Sequence, residues 1–280
     1  MTRGFLTRFR QHSLGICGSL LLTGILLFTA IGPYLSGYTY DQIQLPLANS
    51  SPSSMFWFGS DDLGRDVFTR VCYGARISLF VGLTAALIDL ILGILWGGIA
   101  GLLGGRMDEI MMRLADILYS LPYLLVVILL IVVLGSGLTS IIVALTLMGW
   151  ITMARMVRGQ ILLLKEMEYV LAARVLGANF WRILFKHLLP NASGPILVTL
   201  MLTIPSAIFA EAFLSFMGLG VQAPIASWGT MASESLLALH YYPWRLFFPA
   251  LFISLTMLSF YMIGEGLKGA LNKSEQVSQL

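Results

Sequence analysis

The chain has 280 residues, 58% of them hydrophobic and only 11% charged, with a mean hydropathy of +0.86 and a formal net charge of +3. So few polar groups cannot cover that much apolar surface in water, which excludes a soluble globular domain. The small positive excess gives no argument for nucleic-acid binding.

Six stretches are apolar and long enough to cross a hydrocarbon core, which takes roughly 17–25 helical residues: 14–31, 77–103, 117–134, 138–154, 195–217 and 246–267. Strand-type alternation is absent, so the expected fold class is all-α integral membrane with six transmembrane helices. The expected organisation is a short tail and first anchor (1–36), a segment outside the membrane (37–74), a transmembrane core (75–268) containing a polar loop (155–194), and a closing tail (269–280). The first span follows Arg3, Arg8 and Arg10 in the manner of a secretory signal. It reads as a retained anchor and not as a cleaved signal. Cys17 and Cys72 are isolated and give neither a disulfide framework nor a metal site.

After the first span, Asp61 or Asp62 can cap a helix in which Asp66 and Arg70 stand four apart in the favourable acid-first order. Val67, Phe68 and Val71 share a face, which predicts a short helix lying on the membrane surface. Asp89 falls mid-span, where a bare carboxylate costs roughly 2.5–3.5 kcal/mol, so it is expected to face the bundle interior or a wet cavity, or to be protonated. Glu211, in the fifth span, either lines a mouth of the pathway or bonds to the loop at 218–229. Asp89 and Glu211 are the two candidates for the translocation path. Pro205 is expected to kink the fifth span.

The polar loop 155–194 is the strongest pointer to function. Six of the 17 Lys and Arg fall between Arg155 and Lys186. Tyr169, Ala172, Ala173 and Leu176 repeat at i, i+3, i+4 and i+7, giving a helix face with small residues at its centre. Gly177 suits the left-handed position that ends a helix, Asn179 can cap a second helix, and Pro190 is expected to stop it. Small side chains let another backbone approach closely, so this elbow suits a partner's groove better than it suits lipid. With the loop on the same side as the N-terminus, only Arg65, Arg70, Arg76 and Arg245 lie opposite, and the positive-inside rule places both termini in the cytoplasm.

Ala172-Ala173-x3-Gly177 with Leu189-Pro190 downstream resembles the EAA loop of ABC importer permeases. Five segments are similar to the second permease subunit of the dipeptide, oligopeptide and nickel uptake systems: GSDDLGRDVFTRVCYGARISL (59–79), GGRMDEIMMRLADILYSLP (104–122), YVLAARVLGANFWRILFKHLLPN (169–191), EAFLSFMGLGVQAPIASWGTM (211–231) and FPALFISLTMLSFYMIGEGLKGAL (248–271). Leu171 stands at the acid position of the motif and His187 at a usually aliphatic one. The resemblance implies a type I importer permease fold in the bacterial inner membrane, and a role as one half of a translocation pathway for short peptides. The implied partners are a second homologous permease, two cytoplasmic ABC ATPase subunits, a solute-binding protein (periplasmic or lipid-anchored), the peptide itself and membrane lipid. Tyr169, Ala172, Ala173, Leu176 and Gly177 would meet the ATPase, while Leu189, Pro190 and Asn191 turn the chain back into the fifth span. Nickel or glutathione is the alternative cargo.

Other classes find less support. Each lysine follows a residue other than glycine, so no G-x-x-x-x-G-K-[ST] phosphate loop exists and ATP hydrolysis is expected on separate subunits. H-E-x-x-H and G-x-S-x-G are missing, and no catalytic group, cofactor or metal site is expected. A proton-coupled transporter could use Asp89 and Glu211 but would not need the elbow.

Overall fold

The computed structural model describes residues 9–278; Arg3, Arg8 and the last two residues of the expected tail lie outside them. The helices are α1 (Ser13–Ser36), α2 (Val67–Leu103), α3 (Gly105–Tyr119), α4 (Tyr123–Leu134), α5 (Leu138–Leu164), α6 (Glu168–Val175), α7 (Phe180–Phe216), α8 (Trp228–Ser235) and α9 (Trp244–Ser278). Five of them, α1, α2, α5, α7 and α9, are long and apolar enough to span a bilayer, and the bent pair α3–α4 makes a sixth crossing if taken as one. Close approaches fix which ends lie together. Gly15 meets Gly266, Gly194 meets Leu271, and Gly101 meets Ile161, so the start of α1 and the ends of α2, α5 and α9 share one end of the bundle. That end also carries α6 and is called the elbow end below.

The third expected span, 117–134, is broken. Ser120 caps α3, Pro122 opens α4, and the two axes differ by 79°. Pro122 disfavours helical geometry at Leu121, which is why the helix cannot run through. α3 is amphipathic: Asp108 and Ala115 are buried, whereas Met107, Ile110, Leu114 and Ile117 are exposed on the other face. α2 starts ten residues earlier than the expected 77, so the predicted surface helix is the first turn of a 37-residue rod. Its cap is Asp66, whose Oδ2 accepts from Thr69 N at 3.0 Å, and not Asp61 or Asp62. Val67 and Val71 pack with Trp228 and Met231 and not against lipid, and the Trp228 indole N–H donates to Val71 O at 3.0 Å.

α2 and α5 touch along a stripe of every fourth residue. A Cβ built on Gly93 would lie 2.6 Å from Met153 Cβ, one on Gly97 2.1 Å from Ala154 O, and one on Gly101 2.9 Å from Ile161 Cβ. Lipid tails are as apolar as leucine, so helix association in a bilayer depends on such close contact.

At the opposite end, charges hold the loops to the helices. Arg65 Nε lies 2.6 Å from Asp61 Oδ2, and Arg70 Nη1 pairs with the same oxygen. Arg70 Nη2 is 3.0 Å from Glu234 Oε2, and Arg245 Nη2 is 3.2 Å from Asp62 Oδ1. The expected Asp66–Arg70 pair does not form; Arg70 turns to Asp61 and Glu234 instead, because Asp66 is committed to the cap. The three clustered carboxylates of Asp61, Asp62 and Glu234 have a spacing that could hold a cation. Three guanidinium groups already neutralise them, which leaves no charge for a metal.

Pro33 lies inside α1 and has no N–H for the Thr29 carbonyl one turn earlier. Arg76 of α2 takes that place, donating from Nε at 3.2 Å and Nη2 at 3.1 Å to Thr29 O. Arg76→Ala is expected to cost about 1–3 kcal/mol, the value of leaving a buried carbonyl unpaired. In a Pro33→Ala background, where residue 33 regains its N–H, the same change should cost far less. Thermal unfolding of the four proteins in detergent measures the coupling; equal costs in both backgrounds would break the assignment.

Candidate functional site: a capped elbow

The polar loop folds as a tight elbow between α5 and α7. α6 carries Glu168 in its first turn and Arg174 in its last, which is the arrangement that complements a helix dipole. Ala178 N donates to Ala173 O at 3.0 Å and Gly177 N to Arg174 O at 2.9 Å, with Gly177 at φ +80°. Those two bonds define a Schellman stop, which a β-carbon at Gly177 would strain. Asn179 Oδ1 then accepts from Arg182 N at 2.9 Å and starts the next helix, as its position predicts.

That helix does not stop at Pro190. It runs unbroken from Phe180 to Phe216, passing through a π-helical turn at Ile183–Leu188 in which Leu189 N donates to Leu184 O. The wider turn gives the proline ring room where an α-turn would clash. Leu189, Pro190 and Asn191 are therefore part of the fifth span and do not turn the chain into it, and Asn191 Nδ2 caps His187 O at 2.6 Å.

The expected contact face divides in two. Ala173 is buried together with Val170, and Val170 packs with Ile161, Ile183, Leu184 and Leu188, seating α6 on its own chain. Tyr169, Ala172, Leu176 and Gly177 remain exposed. The tip is formed by Val175 and Leu176, which are 88% and 85% exposed. Three of the six basic residues are used internally. Arg158 pairs with Asp108 through Nε at 2.5 Å and Nη2 at 2.7 Å, Arg155 reaches Asp116 at 2.6 Å, and Lys165 Nζ donates to Gly101 O at 3.2 Å. These bonds clamp α3 and the end of α2 to the base of the elbow, and leave Arg174, Arg182 and Lys186 on its exposed surface.

The two membrane carboxylates are not near the elbow or each other's partners. Glu211 is fully enclosed, accepting from Ser78 Oγ and Ser215 Oγ at 2.8 Å each, and Ser227 Oγ lies 3.3 Å from Ser215 Oγ. It joins α2, α7 and the start of α8, which is the loop-bonding option for this residue and not a lining of an open mouth. Asp89 is 3% exposed, continues the glycine stripe one step above Gly93, and fits a slot left by Gly149, where a Cβ would meet Asp89 Oδ2 at 2.2 Å. Within this chain neither residue faces an open path.

Residues 93–276 match the family of the binding-protein-dependent transport system inner membrane component, and residues 1–52 match the N-terminal TM domain of oligopeptide transport permease C. The chain belongs to this permease family. It is 58% identical over 265 residues to the oligopeptide transport system permease protein OppC of Bacillus subtilis, covering 95% of this chain and 87% of that one. The dipeptide transport system permease protein DppC of the same organism is 56% identical over 268 residues, covering 95% and 83%. The Escherichia coli OppC protein is 41% identical over 271 residues, covering 96% and 90%. Among solved structures, an inward-facing conformation of the MetNI methionine ABC transporter matches with a TM-score of 0.59 at 18% identity, covering 72% of this chain and 96% of that chain. That likeness establishes the shared permease fold.

Two features of the permease's elbow escape sequence reasoning. Val170 lies between motif residues and carries no motif signal, yet it is the anchor of α6; only the apolar spacing of Ile183, Leu184 and Leu188 hints at a surface for it. The Arg155 and Arg158 clamp depends on Asp108 and Asp116, some 40 to 50 positions away in the chain. The pairing of Arg158 with Asp108 and of Arg155 with Asp116 becomes visible only once α3 is known to fold back.

Proposed function

We propose that this permease forms half of the translocation path of an ATP-driven importer of short peptides, pairing with a second permease and driven through the elbow by two separate ATPase subunits. The elbow end then faces the cytoplasm with both termini, and a solute-binding protein delivers cargo at the opposite end. The observation that carries this reading is the exposed apolar tip, Val175 and Leu176, held on a helix that is closed by a Schellman stop and fixed to the core by Val170. An apolar tip on a rigid support is an anchor for a protein groove. Tyr169, Ala172 and Gly177 flank the tip and complete the contact, and Ala173 supports it from beneath. The names of the relatives favour peptides over nickel chelates or glutathione as cargo. Asp89 and Glu211 serve packing on this reading. ATP binding shifts the permease between inward- and outward-open states through its differential affinity for them.

The test is reconstitution with the candidate ATPase, second permease and binding protein. Uptake of labelled di- to pentapeptides should require ATP and persist when the proton gradient is collapsed. Uptake that follows the proton gradient at constant ATP, or a preference for nickel chelates, would replace this reading.

A further inference from the structure

Beside the cap of α2, at the opposite end, lies a cavity of about 280 Å³ lined by Ser36, Tyr38, Ser54, Trp57, Asp66 and Phe68. Asp66 is 3% exposed. Its Oδ2 is occupied by Thr69, through the backbone N at 3.0 Å and the hydroxyl at 2.5 Å, and Thr69 Oγ1 in turn lies 2.6 Å from Ser36 Oγ. Its Oδ1 is buried without a hydrogen-bond partner. Among the described residues Asp61, Asp62 and Glu234 each pair with an arginine, and no ion pair reaches Asp66. Burial pushes the Asp66 carboxyl above its ordinary range, with the Thr69 bonds and the Phe68 backbone amide opposing and the nearby Asp61 charge adding to the rise. A buried carboxylate with one free oxygen, serine hydroxyls beside it and aromatic rings around it has the chemistry of an ammonium site.

The cavity opens where α1 leaves the membrane, since Leu35 and Ser36 are the last residues of that span. Its rim is exposed and amphipathic: Leu35 at 61%, Met55 at 50% and Trp57 at 47%, with the half-buried Tyr38 beside them. Tyr and Trp on such a rim belong at the level of lipid head groups. We propose that this cavity binds the ammonium of a primary-amine phospholipid head group, as in phosphatidylethanolamine, with Asp66 as its counter-ion and Tyr38 and Trp57 against its cation. The bound head group ties the outer segment to the first span, independently of what the elbow docks.

Asp66→Asn tests this without removing the cap, because asparagine caps as well as aspartate. The purified full chain, delipidated in mild detergent, is given phosphatidylethanolamine, its N-trimethylated counterpart phosphatidylcholine, phosphatidylglycerol, or free ethanolamine. Native mass spectrometry counts retained lipid and thermal unfolding reads the stabilisation. The wild type should retain phosphatidylethanolamine at least five-fold over phosphatidylglycerol and melt several degrees higher with it, and Asp66→Asn should lose both preferences while keeping its lipid-free melting point. Equal retention in the variant, or no preference between the head groups, would overturn the site. Free ethanolamine stabilising as well as the lipid would overturn the lipid as occupant and leave a soluble ammonium in its place.

Discussion

Leu176→Glu should abolish ATP-dependent uptake while leaving the permease folded and in the membrane. The side chain is 85% exposed, so its loss costs its own chain no packing, and surface changes of this type stay within about 0.5 kcal/mol. An apolar anchor buried in a partner's groove is a different matter. Removing it and leaving a charge there costs about 2–4 kcal/mol, which weakens the ATPase complex roughly thirty-fold or more. Ala173→Asp makes the contrast. Ala173 is 8% exposed, beneath the tip, and its carbonyl accepts the bond that closes the Schellman stop. A carboxylate there disturbs α6 itself, so stability and uptake fall together. Co-purification of the ATPase, peptide uptake and melting temperature separate the two cases. A Leu176→Glu protein that still co-purifies and transports would remove the elbow as the docking site.

The second large effect is expected at Gly97. Even the single methyl of Gly97→Ala meets the Ala154 carbonyl at 2.1 Å, and a backbone atom cannot swing aside as a side-chain end can. α2 and α5 must separate along the whole stripe, costing at least the 1–3 kcal/mol typical of overpacking. Asp89 would then lose its fit against Gly149, adding the cost of a poorly placed carboxylate within the membrane. Gly159→Ala is the control: it lies on α5 with nothing within 4 Å of its built Cβ, and alanine is the better helix former. Gly97→Ala should melt well below the wild type and Gly159→Ala at or slightly above it. Equal melting points would show that the α2–α5 contact is not the one that holds the bundle.

Local chemistry was readable from the residues alone. Gly177 and Asn179 act where their conformational and hydrogen-bonding preferences put them, because a helix stop or start is decided within four residues. Long apolar runs likewise located the spans. What failed to read was chemistry set at a distance. Pro190 looks like a terminator, and only the π-turn before it, favoured by Ile183, Leu184 and Leu188 all packing inward, lets the helix continue. Arg70 looks like a partner for Asp66 four residues earlier, but Glu234, 164 residues on, competes successfully for it. The cationic character of the loop was overstated for the same reason, since Arg155, Arg158 and Lys165 meet their partners on α2 and α3. Asp89 and Glu211 look like bare charges in lipid, whereas the Gly149 slot that receives Asp89 and the Ser78 hydroxyl that bonds Glu211 come from other helices.

The uninterrupted passage through Pro190 has a mechanical outcome. Phe180–Phe216 is a single strut of 37 residues, about 55 Å long at ~1.5 Å per residue. One extremity sits beside the tip that a motor subunit would grip, and the remote extremity is riveted by Glu211 to its neighbours. With no break in the helix between them, a lean of about 5° of the whole strut would sweep the remote extremity through about 5 Å, a displacement set by the same ~1.5 Å rise. Force applied in one compartment would thus reach the other along a single continuous helix.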